Sequence, residues 1–219
     1  MSDPAIDVVI TVKPLDRAKS RLVGAADRGV GDRAAHEALA LALVRDTAAA
    51  AMATPNVRRL LVVTSDPVIR ERLAGDGVPT TPDTPDRGLN AAFAHGADLL
   101  LAADPLATVA ALQSDLPALR PEELAKAIAE AAGHRAYCAD RQGTGTTLLI
   151  AAAGTRLDPR FGPGSAAAHA GSGAIRIGDA FASLRCDVDT AGDLAIASKL
   201  GLGRETASLV GDPYCAGPC

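Results

Sequence analysis

The chain predicts an α/β fold, and three observations carry that expectation. Short apolar runs alternate with helical segments, the rhythm of strands joined by helical connections. The first of these runs, residues 6–12, leads directly into a polar loop crowded with cations. Apolar residues make up 48% of the sequence and aromatic residues only 2%, so the core must be built from Leu, Val, Ile and Ala. The 219 residues suffice for one domain with a sizeable core.

The elements follow in order. Residues 6–12 form the first strand, and Asp32 is the N-cap of the helix carrying Leu39 and Leu43. A second strand spans 60–64, and a helix begins near Pro67. Residues 79–88, rich in Pro, Thr and Asp, read as a loop. A helix opens at Gly88-Leu89-Asn90, where Asn90 could hydrogen-bond a base or cap the helix. A third strand covers 109–113. Pro121-Glu122-Glu123 opens the next helix, with Pro at the first position and acids at the positive end of the dipole. Strands are expected at 136–139 and 146–151, and a Gly-, Ser- and Pro-rich loop at 160–173. A last strand at 184–188 precedes a helix from Ala191 with Thr190 as N-cap and Asp193 in its first turn. The whole chain reads as one domain, 1–219, with a flexible C-terminal tail from about 204.

Composition excludes several functions. The net charge of −4 argues against a nucleic-acid partner. Apolar runs are interrupted well before about 18 residues, so no membrane span is expected. The segment before Ile6 has neither a basic n-region nor an apolar h-region, so no secretory signal is expected. Two of the four cysteines, Cys138 and Cys186, are scattered, and Cys215 and Cys219 lie near the end. That is not a disulfide framework, and a cytoplasmic location fits.

The chemistry concentrates at the predicted strand ends, where open α/β sheets bind ligands. Lys13, Arg17, Lys19 and Arg21 follow the first strand within nine residues, which points to an anionic ligand such as a polyphosphate. The loop lacks the glycines and the Gly-Lys-Ser/Thr ending of a Walker A motif. Asp115 follows the 109–113 strand. Asp187 and Asp189 flank Val188, and alternate residues of a strand share a face. Two or three such carboxylates make a hard-oxygen site suited to Mg²⁺ when phosphates and water complete its shell. Asp189 serves equally well as a second helix cap beside Thr190.

Residues 140–147, with two glycines and three threonines, could cradle an anion or form a plain Gly-rich hairpin. In the 159–169 stretch Gly162 permits close backbone approach, and Ser165 can donate to a phosphate at a helix start. His169 could touch that phosphate or be a surface histidine. No nucleophile elbow, Cys–His pair or zinc spacing is present. A phosphate attacking another phosphate needs no general base, because it is already anionic near neutral pH. It needs cations to offset repulsion, and cations are what this chain supplies.

Taken together these segments resemble the phosphoenolpyruvate (or 2-phospho-L-lactate) guanylyltransferase family of coenzyme F(420) biosynthesis. The resemblance runs from Val8 to about Leu202. It is carried by Val12-Lys13-Pro14-Leu15, Ala18-Lys19-Ser20-Arg21-Leu22, Gly88-Leu89-Asn90-Ala91-Ala92 and Gln113-Ser114-Asp115-Leu116-Pro117. It continues in Asp140-Arg141-Gln142-Gly143-Thr144-Gly145-Thr146, Arg160-Phe161-Gly162-Pro163-Gly164-Ser165 and Cys186-Asp187-Val188-Asp189-Thr190.

The resemblance implies a nucleotidyltransferase (Rossmann-like) three-layer sandwich around a central mixed, mostly parallel sheet. It implies GTP as donor, phosphoenolpyruvate or 2-phospho-L-lactate as acceptor, pyrophosphate as leaving group, and a downstream transferase that uses the product. By motif, Asp115 and Asp187 would hold Mg²⁺, with Asp189 a further candidate ligand. Lys13, Lys19 and Arg21 would face the GTP phosphates, with Lys19 assisting catalysis and Asn90 near the nucleotide. Thr147, Gly162 and Ser165 would grip the acceptor phosphate. The pattern departs at Gly164, where the family carries an acid, and at residues 166–170, which are smaller and less basic here.

Overall fold

The computed structural model describes residues 5–15, 22, 25, 29–84 and 86–210. A seven-stranded sheet forms its centre, in the order β3-β2-β1-β4-β6-β5-β7. The strands are β1 (Ile6–Thr11), β2 (Val57–Val63), β3 (Thr80–Thr81), β4 (Thr108–Leu112), β5 (Ala136–Ala139), β6 (Thr146–Ile150) and β7 (Ile175–Ile177). β1, β2, β3 and β4 run parallel, β6 runs against β4 and β5, and β7 is parallel to β5. Every residue of β1 is buried, as expected of a central parallel strand covered on both faces.

Helices α1 (Arg33–Ala53), α2 (Pro67–Gly75) and α4 (Pro121–Ala131) cover one face, where Val44, Ile69, Leu73, Leu124 and Ile128 meet Val8, Ile10 and Leu112. On the other face lie α3 (Leu89–Ala103) and α5 (Ser165–Gly171), where Ala92, Phe93 and Ala166 meet Val9, Val109 and Leu149. The result is the expected three-layer sandwich. α6 (Ala191–Leu200) packs Leu194 and Ala197 against Leu39 and Leu43 of α1.

Caps explain the helix starts. Asp32 accepts from Ala35 N at 2.8 Å, and Asp66 accepts from Val68 N and Ile69 N ahead of Pro67. Thr190 and Asp193 form a reciprocal capping box on α6. α3 crosses the sheet closely because Gly96 has no side chain: a Cβ there would lie 2.6 Å from Val9 Cγ1 and 2.7 Å from Val63 Cγ2. At the opposite end of β1 from the loops described below, Asp7 is fully buried between Arg58 and Arg59. Burial alone would raise its carboxyl, but the two guanidinium hydrogen bonds outweigh it and hold the group below its ordinary value.

Three sequence expectations are corrected. Residues 184–188 are not a strand. Glu123 of α4 accepts from Ser183 N at 2.8 Å, from Ser183 Oγ at 2.6 Å and from Leu184 N, so the chain curls around that carboxylate. Leu184, Cys186 and Val188 are buried, so the alternation is satisfied by packing against helices. The strand that completes the sheet is β7, in a segment whose Gly-rich flanks read as loop. The supposed loop 160–173 contains α5. The tail expected from about 204 begins instead with α7 (Arg204–Val210). Asp46 of α1 accepts from Glu205 N at 3.0 Å and Thr206 N at 2.8 Å, capping α7 from across the molecule. Cys215 and Cys219 lie outside the described residues.

Candidate active site

The site candidates converge where the parallel strands end. β1 and β4 are neighbours, yet the chain leaves β1 for β2 on its far side, so the sheet reverses its order between them. Such a switch point opens a crevice beyond the strand ends. The loop after β1 brings Lys13 to this edge, exposed to solvent. Leu15 N donates to Asp66 Oδ2 at 2.9 Å, so the residue that caps α2 also anchors the Lys13 loop. Nothing in the sequence beyond Asp-Pro at a helix start marked Asp66 for that second task. Arg17, Lys19 and Arg21 lie outside the described residues.

After β4, Asp115 is 7% exposed. Its backbone carbonyl accepts from Val188 N at 3.0 Å. This bond sets the Asp187 segment beside Asp115, although 72 residues separate the two in sequence. Asp187 is half-buried and Asp189 exposed. The shared-face argument for these two fails because their segment is not a strand. Thr190 is the N-cap of α6, in a reciprocal box with Asp193. Among the described residues no group of three His, Cys, Asp or Glu side chains could hold a metal by itself. Two carboxylates beside a crevice suit Mg²⁺, which keeps water and takes substrate phosphate oxygens as its other ligands.

The Gly-rich turn resolves as a hairpin whose Gly143, Thr144 and Gly145 amides are already occupied. Asp140 accepts from Thr144 N at 2.9 Å and Gly145 N at 2.8 Å, while its carbonyl accepts from Gly143 N. The nest therefore holds an internal carboxylate rather than a ligand. A Cβ on Gly145 would lie 2.4 Å from Asp140 Oδ2, so only glycine fits there. Arg185 locks the turn from behind, its NH2 group donating to Asp140 O at 2.9 Å. The turn in turn receives α5, because Ala166 N donates to Thr144 O at 3.1 Å.

Two of the predicted acceptor residues, Gly162 and Ser165, lie beside that junction. Ser165 is buried at the first position of α5, and its N–H donates to Gly162 O at 3.1 Å. Gly162 is exposed with φ 135, a conformation that side chains resist. Thr147 is fully buried in β6, and its hydroxyl finds no partner of ordinary hydrogen-bond geometry.

Two expectations change role. Asn90 neither caps α3 nor faces open solvent with a free amide: its Nδ2 donates to Phe161 O at 2.9 Å, and its Oδ1 accepts from Phe161 N at 2.7 Å. His169 is not a surface histidine but fully buried. Its Nε2 accepts from Arg160 N at 2.9 Å, which leaves Nδ1 to carry the proton toward Thr146 Oγ1, also at 2.9 Å. Burial, with the charges of Arg135 and Arg160 added, pulls its pKa down to about 4.

Residues 24–161 match the family described as the MobA-like NTP transferase domain. Proteins named phosphoenolpyruvate guanylyltransferase match nearly end to end. The one from Geodermatophilus obscurus is 50% identical over 94% of this chain and 94% of its own. The Streptomyces coelicolor protein is 48% identical over 96% of this chain and 98% of its own. The chain belongs to this guanylyltransferase family, within the MobA-like NTP transferases. Its fold is shared with solved structures of low sequence identity. A nucleotidyl transferase from Methanothermobacter superposes with a TM-score of 0.60 at 18% identity, covering 90% of this chain and 97% of that one. A CMP:2-keto-3-deoxy-manno-octonic acid synthetase, solved with CTP, gives 0.51 at 13% identity, covering 90% and 98%.

Proposed function

We propose that this protein joins the GMP moiety of GTP to the phosphate of phosphoenolpyruvate and releases pyrophosphate, a step in making the deazaflavin coenzyme F(420). The observation that carries the reading is the pairing of Asp115 with the Asp187 segment through the Val188 N–H bond, at the crevice beside β1 and β4. That pairing puts two carboxylates where the strands end, within a chain about half identical to named guanylyltransferases. Asp115 and Asp187 hold Mg²⁺ in this reading, and Asp189 stands close enough in sequence to contribute through water. When bound, Mg²⁺ offsets charge on the triphosphate and the departing pyrophosphate.

The chain's own residues do the rest. Lys13, with Lys19 and Arg21 that follow it in sequence, draws the triphosphate into the crevice and screens its repulsion for an incoming anion. Gly162, Ser165 and Thr147 receive the acceptor phosphate, whose oxygen attacks the α-phosphorus in line with the pyrophosphate. The acceptor is an anion before it binds, so positioning supplies most of the rate.

The test is pyrophosphate release with GTP, Mg²⁺ and each of phosphoenolpyruvate, 2-phospho-L-lactate and 3-phosphoglycerate, with ATP and CTP as donor controls. Release requiring both GTP and phosphoenolpyruvate is expected. Asp115→Ala and Asp187→Ala are expected to lower turnover by about a thousandfold or more while remaining folded. Near-normal rates in either variant would remove the metal assignment. No release with any of the three acids would remove the reaction itself.

A further inference from the structure

The segment between β6 and α5 carries the chain from the end of β6 opposite the crevice back toward the crevice end of the sheet, and residues 157–161 of it belong to no helix or strand. Buried backbone groups still need partners. Here side chains from three separate elements provide them. Arg135, at the entry to β5, donates to Leu157 O and to Asp158 O. His169 of α5 accepts from Arg160 N. Asn90, in the first turn of α3, takes both backbone groups of Phe161. The Phe161 ring is then stacked on Phe93 of α3, with centroids 4.6 Å apart, and meets the His169 ring edge-on at 5.1 Å.

The residue after this strap is Gly162, and Ser165 follows three positions later. Both belong to the acceptor-phosphate grip under the function proposed above, and this inference rests on that reading. A planar amide that donates and accepts on one residue fixes the direction of the chain as well as its place. Because α3 is itself fixed to the sheet by the Gly96 crossing, the amide transmits the position of the core to the loop. We propose that Asn90 is a positioning residue for the acceptor: it holds Phe161 so that the Gly162–Ser165 turn presents a preformed phosphate seat, and it takes no part in binding the guanine base. Preorganisation of this kind lowers the ordering cost of binding.

The experiment separates the two substrates. Wild-type protein and Asn90→Ala are compared in steady-state kinetics, varying GTP and phosphoenolpyruvate in turn. The expected result is a rise of about tenfold or more in KM for phosphoenolpyruvate, with KM for GTP changing by less than about twofold. A rise confined to GTP would overturn the inference and return Asn90 to the nucleotide. Equal rises for both substrates, or no change in either, would also overturn it, since general loosening or an idle contact would explain them. Should Asn90→Ala fail to fold, hydrogen exchange on the wild-type protein decides. Amides of the 157–164 segment are expected to slow when the acid is added with Mg²⁺ and a non-hydrolysable GTP analogue, beyond any effect of the analogue alone. Full slowing by the analogue alone would overturn the assignment. A wild-type enzyme that releases no pyrophosphate would sink the guanylyltransferase reading and this inference with it. An active wild type whose variant keeps its acid KM would sink only the positioning role.

Discussion

At the scale of single residues, the site depends on polar side chains that serve other parts of the chain. Asp140 fills its own turn, Asp66 holds the Lys13 loop while capping α2, and His169 bridges β6 to the strap. Burial, with the charges of Arg135 and Arg160 added, depresses the pKa of His169 to about 4 from an ordinary 6.5. The unfolded chain therefore takes up this proton first as pH falls. The contribution of His169 to stability is complete above pH 6.5 and is lost as pH falls from there toward 4. The slope can reach about 1.4 kcal/mol per pH unit. Urea melts of wild type and His169→Gln at pH 7.5 and pH 5 check this: the gap between the two pH values should be distinctly smaller in the variant. An equal gap would mean that His169 does not control the acid limb.

At the scale of elements, α7 is the clearest case of a piece held from far away. Seven residues are too few for a helix to persist alone in water. Two of its N-terminal amides bond Asp46 on α1, and Arg45 pairs with both Asp76 and Glu205. Gly203 lets the chain pass close to Asp46, since a Cβ would meet its Cγ at 2.3 Å. Asp46→Ala should cost about 1–2 kcal/mol, the range for a lost helix cap. Limited proteolysis should then cut near 203–210 before any other region. If the variant melts like wild type and resists cleavage there, the α1–α7 contact is not what holds the C-terminal helix. The same logic accounts for 184–188, where Glu123 collects three donors and prevents extension.

At the scale of the whole molecule, the crevice is assembled from loops that share nothing in sequence. In the function proposed above it takes Lys13 from the end of β1, Asp115 from the end of β4, Asp187 ahead of α6, and Ser165 at the start of α5. Ligands that bind such a site bind the folded state alone and raise its melting temperature. GTP with Mg²⁺ at a hundred times its Kd should add about 2.7 kcal/mol. GTP without a divalent ion should add much less if Asp115 and Asp187 share a metal with the phosphates. Thermal melts with GTP, Mg²⁺, both and neither give the answer. Equal shifts with and without Mg²⁺ would place the nucleotide away from the two aspartates.

Sequence alone determined whatever depends on near neighbours. The apolar run of β1, the N-cap Asp32, the helix start near Pro67 and the N-cap Thr190 with Asp193 in the first turn are local signals with local causes, and each is realised. The ordered motifs likewise marked the family. Tertiary structure decided what depends on partners brought from elsewhere. Residues 184–188 carry a strand's alternation but meet Glu123 in place of a neighbouring strand. Asn90 has the look of a cap or a base ligand until Phe161 arrives from 71 positions away. His169 looks like a surface histidine until β6 and the strap enclose it. Periodicity reports which side chains want burial, whereas hydrogen-bond geometry across the fold determines which polar groups remain to meet a ligand.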